Sequence, residues 1–174
     1  MTVVSSFAPI EGDSARVLIL GSMPGVASLI AGQYYAHPQN AFWKIMEAIL
    51  GIPATVDYEA RVEALKRANI ALWDVLENCK RPGSMDAAIV MDSAQTNDIA
   101  ALLQRQPSIH VICFNGSTAE KIFKKRVLPS LEGFSVEYMR LPSTSPAHAS
   151  MSFENKVIAW RAAIQPYFKT SLSS

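Results

Sequence analysis

"RVLILGSMPG", residues 16 to 25, runs from an apolar segment directly into a turn rich in glycine and proline. Its first five residues form a short, largely apolar run, which predicts a buried strand that stops at Gly21. Gly21, Pro24 and Gly25 allow a ligand to approach the backbone closely and to reach its N–H groups. The spacing is not that of a dinucleotide-binding fingerprint, a P-loop or a nucleophile elbow. The turn is therefore either a ligand-binding loop of another kind or an ordinary strand exit.

Outward from this stretch, apolar runs typical of strands alternate with patterns typical of helices. Further strands are predicted at residues 70–75, 109–114 and 135–141. Helices are predicted at residues 40–50, 58–68, 96–106, 115–125 and 153–168, with Thr96 as the N-cap of the third. Residues 77–86 and 142–152 are interpreted as loops. This order predicts an α/β fold with three layers, α/β/α, around a central, mostly parallel four-stranded sheet.

The composition fits one folded domain over residues 1–174, because 49% of the residues are hydrophobic and can bury a sizeable core. The formal net charge is only +1, from 16 basic and 15 acidic side chains. A protein that coats duplex DNA non-specifically usually has a larger basic excess. Any contact with nucleic acid should therefore be small and should use backbone amides as well as charge.

The two cysteines, Cys79 and Cys113, match neither a zinc pattern nor a disulfide framework, and they are too few for an iron–sulfur cluster. We therefore expect no metal and no other cofactor. No apolar run is long enough to span a bilayer, and the first 17 residues lack the features of a secretory signal. We expect a cytoplasmic monomer with no membrane contact.

In parallel α/β sheets the binding site lies beyond the carboxyl ends of the strands. Four segments meet that condition, and they are also the polar stretches rich in glycine and proline. They are residues 21–40, the loop after Asp74, residues 115–117 and residues 142–150. We therefore expect the functional site to lie among these four segments.

The stretch "QYYAHPQNAFWK", residues 33 to 44, combines aromatic rings with a polar amide and the start of a helix. Asn40 either caps that helix or orients a water molecule beside its N-terminus. Tyr34 and Tyr35 either pack inside the protein or present a ring on which a flipped base stacks. His37 either packs against its own loop or contacts a phosphate.

Three other polar positions also have two interpretations each. Asp74 ends an apolar strand, where it either caps the next loop or accepts a hydrogen bond from a ligand. Asn115 ends another strand and has the same alternatives. Residues 142–146, "PSTSP", either bind a phosphate or form a plain serine and threonine turn. The basic residues between positions 121 and 126 are interpreted as a solvated helix face.

Taken together, these segments resemble the uracil-DNA glycosylase superfamily. "GSMPG" matches its first motif, a Gly-x-x-Pro-Gly or related turn after the first strand, and "LPSTSPAHA" matches the Pro-Ser loop of its second. Tyr35 and "HPQNAFWK" match the base-stacking aromatic residue and "HP-x-N-x-FWK" of the mismatch-specific uracil branch. "LWDVLENCKRPGSMD" and "FNGSTAEKIF" further resemble the deoxyinosine, or hypoxanthine, glycosylase branch.

Two positions depart from the superfamily pattern. Met23 stands where most branches have a catalytic Asp or Asn, and Leu141 stands where the uracil-specific branch has a His. Neither side chain can supply the lost chemistry, which argues against an efficient uracil enzyme. Both departures fit the deoxyinosine branch, in which the resemblance implies that the Asn of "HPQN" is catalytic. That residue is Asn40.

On this basis we expect a DNA glycosylase that binds a flipped nucleotide. Asn40 would hold the attacking water, Tyr35 would stack on the base, and Asp74 would accept the N1–H of hypoxanthine. The residues expected to bind the base are Gly21, Ser22, Met23, Pro24, Gly25, Tyr35, His37, Asp74 and Asn115. The residues expected to bind DNA are Ser143, Thr144, Ser145, Pro146 and His148, the last two being candidates for a wedge in the base stack.

Three alternatives stay open at this point. The first is a uracil or mismatch glycosylase of the same fold, which a panel of deaminated bases distinguishes. The second is a module that binds damaged DNA without activity, which Met23 and Leu141 make plausible. The third is a protein of similar architecture that binds small nucleotides, for which a free nucleotide should compete well.

Overall fold

The computed structural model describes residues 2–168 of the chain. Met1 and residues 169–174, the two ends of the predicted domain, lie outside the described residues. Seven strands are formed: β1 (Val3–Ser5), β2 (Val17–Gly21), β3 (Ile70–Asp74), β4 (Leu76–Lys80), β5 (Val90–Thr96), β6 (Val111–Asn115) and β7 (Glu137–Leu141). Four of them form a parallel sheet in the order β3-β2-β6-β7. The prediction of a four-stranded parallel sheet is thus confirmed.

The α-helices are α1 (Val26–Ala31), α2 (Phe42–Leu50), α3 (Tyr58–Arg67), α4 (Ile99–Arg105), α5 (Ser117–Arg126) and α6 (Phe153–Ile164). Short 3-10 helices are formed at Asp86–Ala88, Leu128–Leu131 and Gln165–Tyr167. Of the six α-helices in the described residues, four lie within the ranges predicted from the sequence, and α5 extends one residue beyond its predicted range. Within residues 2–168, no helix combines the length and hydropathy needed to cross a membrane.

Alternating side chains of β2 divide the core into two layers, as the three-layer prediction requires. Leu18 and Leu20 face one side of the sheet and pack with buried residues of α4 and α5. Val17 and Ile19 face the other side and pack with buried residues of α2, α3 and α6. Because both faces are covered, all five residues of β2 are buried.

A second sheet was not predicted. Strands β1, β4 and β5 pair antiparallel in the order β1-β4-β5. The interpretation of residues 77–86 as a loop is therefore wrong for its first part, because β4 extends to Lys80. The β4–β5 register is irregular around Asn78, so neither strand shows the strict alternation that identifies a strand in a sequence.

The prediction that Thr96 caps the third helix is also wrong. Thr96 is the last residue of β5, and α4 begins two residues after Asn97. The cap is Asp98, whose side chain accepts a hydrogen bond from the N–H of Ala101 at 3.0 Å. Both Thr and Asp are good N-caps, so the sequence alone does not decide between them. Pairing with β4 holds Thr96 in an extended conformation and leaves the cap to Asp98.

Asn97 connects the two sheets from a buried position. Its side-chain amide donates hydrogen bonds to the backbone carbonyls of Asp74 at 2.8 Å and of Leu76 at 3.2 Å. These carbonyls belong to the end of β3 and the start of β4. Asn97 thereby fixes the point at which the chain leaves the parallel sheet for the antiparallel one.

Substitution of Asn97 by Ala should lower the free energy of unfolding by about 1–3 kcal/mol, because two buried carbonyl groups lose their donor. Urea denaturation monitored by circular dichroism measures this change. Asn78→Ala is the matched control, since Asn78 bonds only the exposed side chain of Gln95 and its loss should cost less than about 0.5 kcal/mol. Equal losses in the two variants would contradict the connecting role of Asn97.

Candidate active site

A cavity of about 1030 Å³ opens beyond the carboxyl ends of β2, β3 and β6. All four segments selected from the sequence contribute to its wall. Every predicted site residue lines it: Gly21, Ser22, Met23, Pro24, Gly25, Tyr35, His37, Asn40, Asp74, Asn115, Ser143, Thr144, Ser145, Pro146 and His148. The structure therefore brings together residues that are up to 127 positions apart in the chain, from Gly21 to His148.

Gly21 allows two functional side chains to meet at one point in this cavity. A methyl group at Gly21 would lie 2.5 Å from Oδ1 of Asp74 and 2.9 Å from the hydroxyl oxygen of Tyr35. Both distances are shorter than van der Waals contact, so a side chain at this position would displace the carboxyl group, the hydroxyl group or both. Gly21 pairs with Asp74 in the β2–β3 register, which is why the carboxyl group lies at this position.

Tyr35 has a backbone conformation that is unusual for a residue with a side chain. Its φ angle is 55°, in the left-handed region that costs on the order of 1–3 kcal/mol for such residues. The ring stacks on Phe42 with a centroid distance of 4.3 Å and an interplanar angle of 28°. Its hydroxyl group is buried, with no hydrogen-bond partner in the described part of the chain. The ring is thus held rigidly, and its hydroxyl is left for a ligand.

The Asp74 carboxyl group is 3% exposed, and its Oδ2 atom is buried without a hydrogen-bond partner among residues 2–168. Burial, followed by the negative charge of Asp86, raises the pKa of Asp74 from 3.8 to about 7. The positive charge of Arg81 acts in the opposite direction. Burial, followed by the charge of Asp74, also raises the pKa of Tyr35. Near neutral pH the cavity therefore holds a carboxyl group close to its titration point.

The Asn40 side chain contacts the start of α2, although the N-cap of that helix is Ala41. Its Oδ1 accepts a hydrogen bond from the N–H of Phe42 at 3.0 Å, so the side chain does stabilise the start of α2. Asn40 also lines the cavity and is half-buried. A carbonyl oxygen has two lone pairs, and the second can accept a hydrogen bond from water. The bond to Phe42 thus orients the amide without using all of its hydrogen-bonding capacity.

His37 stabilises its own loop. Its Nδ1 accepts a hydrogen bond from the N–H of Gln39 at 3.1 Å, and its backbone carbonyl accepts one from Asn40 N–H at 2.9 Å. The side chain is exposed at the rim of the cavity. The local interpretation of His37 is therefore supported, while its position at the rim leaves a phosphate contact open to test.

Thr144 joins three of the segments that form the cavity. Its side chain is buried, and its hydroxyl accepts a hydrogen bond from the Asn115 amide at 3.0 Å. The Thr144 N–H donates to Asn115 Oδ1 at 2.9 Å, and the Thr144 carbonyl accepts from Ala41 N–H at 2.9 Å. Although both were expected to touch DNA or base, Asn115 and Thr144 are bonded to each other. Their role in the structure is to connect the loops.

The loop after β7 presents Pro146 to solvent, whereas His148 is partly buried. Below this loop, the buried Lys156 donates a hydrogen bond from Nζ to the His148 carbonyl at 2.7 Å. Desolvation lowers the pKa of Lys156. Ser143 and Ser145 accept hydrogen bonds from nearby N–H groups of the loop, at 3.1 and 3.2 Å. The loop is thus an anchored serine turn with an exposed tip.

Several cavity residues were not singled out from the sequence. Ser84, Met85, Asp86 and Ala87 form part of the wall, and so do Arg140 and Met151. The first four follow the β4 strand that the sequence did not reveal, although the loop after Asp74 was selected as a segment. The polar, proline-containing run "RPGSMD" was the signal that could have identified them.

Comparisons with known proteins identify the family to which nearly the whole chain is similar. Residues 9–169 match the family model described as the Uracil DNA glycosylase superfamily. Two proteins called "Hypoxanthine DNA glycosylase", from Methanosarcina barkeri and Methanosarcina acetivorans, are each 33% identical to the chain over 160 residues, which cover 91% of the chain and 96% of each relative. A solution NMR structure of a candidate uracil DNA glycosylase from M. acetivorans superposes with a TM-score of 0.80. It is 32% identical, and the match covers 95% of this chain and 99% of the other.

Because the folded state raises the pKa of Asp74, it binds a proton more tightly than the unfolded chain does. The resulting stabilisation is fully present below the unfolded pKa of about 4 and is lost as the pH rises through about 7. Asp74→Asn should remove this loss, which is on the order of 4 kcal/mol between pH 4 and pH 8. Urea denaturation of both proteins across that range measures it. If the stabilities of the two proteins change with pH in parallel, the raised pKa of Asp74 is contradicted.

Proposed function

The chain belongs to the uracil DNA glycosylase superfamily, and from this we propose that it is a monofunctional DNA glycosylase that releases hypoxanthine from deoxyinosine in DNA. The observation that carries the proposal is the convergence of Tyr35, Asp74 and Asn40 on one cavity at the carboxyl ends of the strands. The names of the two Methanosarcina relatives support the choice of hypoxanthine. The overall reaction is hydrolysis of the N-glycosidic bond.

The base must leave the duplex to enter this cavity, at a cost of a few kcal/mol. Tyr35 offsets part of this cost by stacking on the purine, which contributes about 1–3 kcal/mol in comparable base–aromatic contacts. Phe42 supports the ring from its stacked position, 4.3 Å away between centroids. The strained backbone of Tyr35 therefore serves to place a rigid ring in the cavity.

Asp74 distinguishes hypoxanthine from adenine in this proposal. Hypoxanthine has a hydrogen atom on N1, whereas N1 of adenine is an acceptor. A carboxyl oxygen of Asp74 accepts that N1–H, and the buried Oδ2 has no other partner among the described residues. The Tyr35 hydroxyl lies near the same carboxyl group, across Gly21.

As the glycosidic bond breaks, its electron pair leaves with the base and the sugar becomes cationic. N–H groups of the turn from Ser22 to Gly25 stabilise the negative charge on the departing base, in the manner of an oxyanion hole. Asn40 orients a water molecule through the free lone pair of Oδ1. The water oxygen bonds to the sugar carbon, and one water proton is lost to solvent as the base takes up a proton.

Asn40 supplies the polar side chain that Met23 cannot supply. Met23 is 7% exposed and its side chain packs with the apolar residues of one core layer. Leu141 is likewise buried, in the other layer. Neither residue presents a polar group to the cavity, so the polar side chain that activates water must come from another segment. Asn40 meets this requirement.

The proposed function predicts that the protein converts an inosine-containing oligonucleotide into an alkali-labile product. Single-turnover reactions with duplexes containing inosine, uracil or xanthine opposite each normal base, followed by alkali and gel electrophoresis, test it. Hypoxanthine should be released fastest. Faster release of uracil would favour a uracil or mismatch enzyme, and tight binding without release would favour a damage-binding module.

Asn40→Ala should separate the catalytic role from the capping role. Loss of the hydrogen bond to Phe42 should reduce stability by about 0.5–2 kcal/mol, whereas loss of water activation should slow base release by about 100-fold or more. Thermal unfolding and single-turnover kinetics measure the two effects. Gln39→Ala, at an exposed neighbouring position, is the matched control and should change neither the stability nor the rate of base release. A folded Asn40→Ala variant with a normal rate would remove Asn40 from the mechanism.

A further inference from the structure

Arg81 is a buried cation that forms no salt bridge in the described chain. It is 3% exposed. Its Nε donates a hydrogen bond to the Gly83 carbonyl at 2.8 Å, and its Nη2 donates one to the Pro24 carbonyl at 2.6 Å. Its Nη1 is buried and has no hydrogen-bond partner in the described part of the chain. The positive charge is thus buried beside the turn from Ser22 to Gly25, which is called the first turn below. It is not neutralised by an ion pair.

Such an arrangement is costly for a purely structural contact. Removing a guanidinium group from water without a counter-ion costs several kcal/mol, and neutral donors can serve two carbonyl groups equally well. What a cation adds is an electrostatic field, which is strong where water is excluded. The sign of that field favours negative charge in the neighbouring cavity.

Three hydrogen bonds connect the first turn and the start of α1 to the segment between β4 and β5. Besides the Arg81–Pro24 bond, the Ser22 hydroxyl donates to Asp86 Oδ1 at 2.6 Å. The Val26 N–H donates to the Ser84 hydroxyl at 2.8 Å. The antiparallel sheet thereby holds the turn that carries the expected donors to the base. Among these contacts, only the one from Arg81 is both charged and buried.

The contact with Pro24 acts on a peptide unit that faces the site. The Pro24 carbonyl and the Gly25 N–H belong to the same peptide unit, and Gly25 lines the cavity. Within the described chain, no acceptor bonds the N–H groups of Met23 and Gly25. A donor on the carbonyl side of a peptide unit polarises it and strengthens the N–H as a donor. Arg81 therefore improves the Gly25 N–H that is available to a bound base.

We propose that Arg81 is a positioning residue for base release, which fixes the first turn and strengthens its N–H groups against the negative charge of the leaving base. This inference rests on the proposed glycosylase function and deepens it. Arg81 does not touch the base, since it does not line the cavity. It acts through the Pro24–Gly25 peptide unit.

Arg81→Gln and Arg81→Lys test the proposal on inosine-containing duplex DNA under single-turnover conditions. Gln keeps a neutral donor, whereas Lys keeps the charge and loses the planar fork. Arg81→Gln should release hypoxanthine about 10-fold more slowly or worse, and Arg81→Lys should recover part of that loss. Binding of a duplex that carries a non-cleavable inosine analogue should change less than about 3-fold in both variants.

The decisive readout is the dependence on the leaving group. 8-Azahypoxanthine is a more acidic leaving base and needs less stabilisation of its negative charge. Loss of Arg81 should therefore slow its release less than it slows the release of hypoxanthine. A defect unrelated to the leaving group, such as a general loss of stability or of DNA binding, would slow both reactions by the same factor. If Arg81→Gln fails to fold, the same ratio measured with Arg81→Lys decides the question.

Arg126→Gln is the matched control. Arg126 is a partly buried arginine that donates to two backbone carbonyls, of Met91 at 2.9 Å and of Ala94 at 3.0 Å, away from the cavity. Its substitution should leave the rates and the leaving-group ratio unchanged. If the Arg81 variants slow the release of both bases by the same factor, the role of Arg81 is overturned and the proposed function is not. Absence of base release by the wild-type protein would instead overturn the proposed function.

Discussion

The arrangement of this site depends on the close approach that Gly21 allows. Any side chain at this position would overlap with the Asp74 carboxyl group, 2.5 Å away, and with the Tyr35 hydroxyl, 2.9 Å away. The β2–β3 register sets Asp74 opposite Gly21, and the left-handed backbone of Tyr35 directs its ring toward the same point. Oδ2 of Asp74 and the Tyr35 hydroxyl are buried without a hydrogen-bond partner among residues 2–168, so both are available to a ligand at this point. The remainder of the site is organised around this pair.

The second, antiparallel sheet supports that centre from one side. Asn97 holds the carbonyl groups at the β3–β4 junction, and the segment that follows β4 bonds the first turn through Arg81 and Asp86. On the opposite side, Thr144 and Asn115 connect the loops after β6 and β7 and tie them to the start of α2. Each wall of the cavity is therefore fixed by buried hydrogen bonds. Such preorganisation suits a reaction that depends on aiming donors at developing charge.

The charge of the chain fits this design. A net charge of +1 provides little general attraction for a polyanion. Under the proposed function, recognition depends on the extruded nucleotide, on backbone donors at the cavity, and on single basic groups held beneath loops, such as Lys156 below His148. A protein of this kind gains affinity from a base that leaves the stack easily, so weak pairs favour it.

The sequence by itself determined the parallel sheet, five of the six α-helices and the segments that line the cavity. These follow from short-range patterns: apolar runs, helical spacing, and glycine or proline at strand ends. Tertiary structure alone decided that β4 and β5 pair, because their irregular register hides the period of two, and that Asp98 rather than Thr96 caps α4. It also decided that Asn115 bonds Thr144 and that Arg81 is buried beneath the first turn. These facts depend on contacts between residues far apart in the chain, which local patterns do not encode.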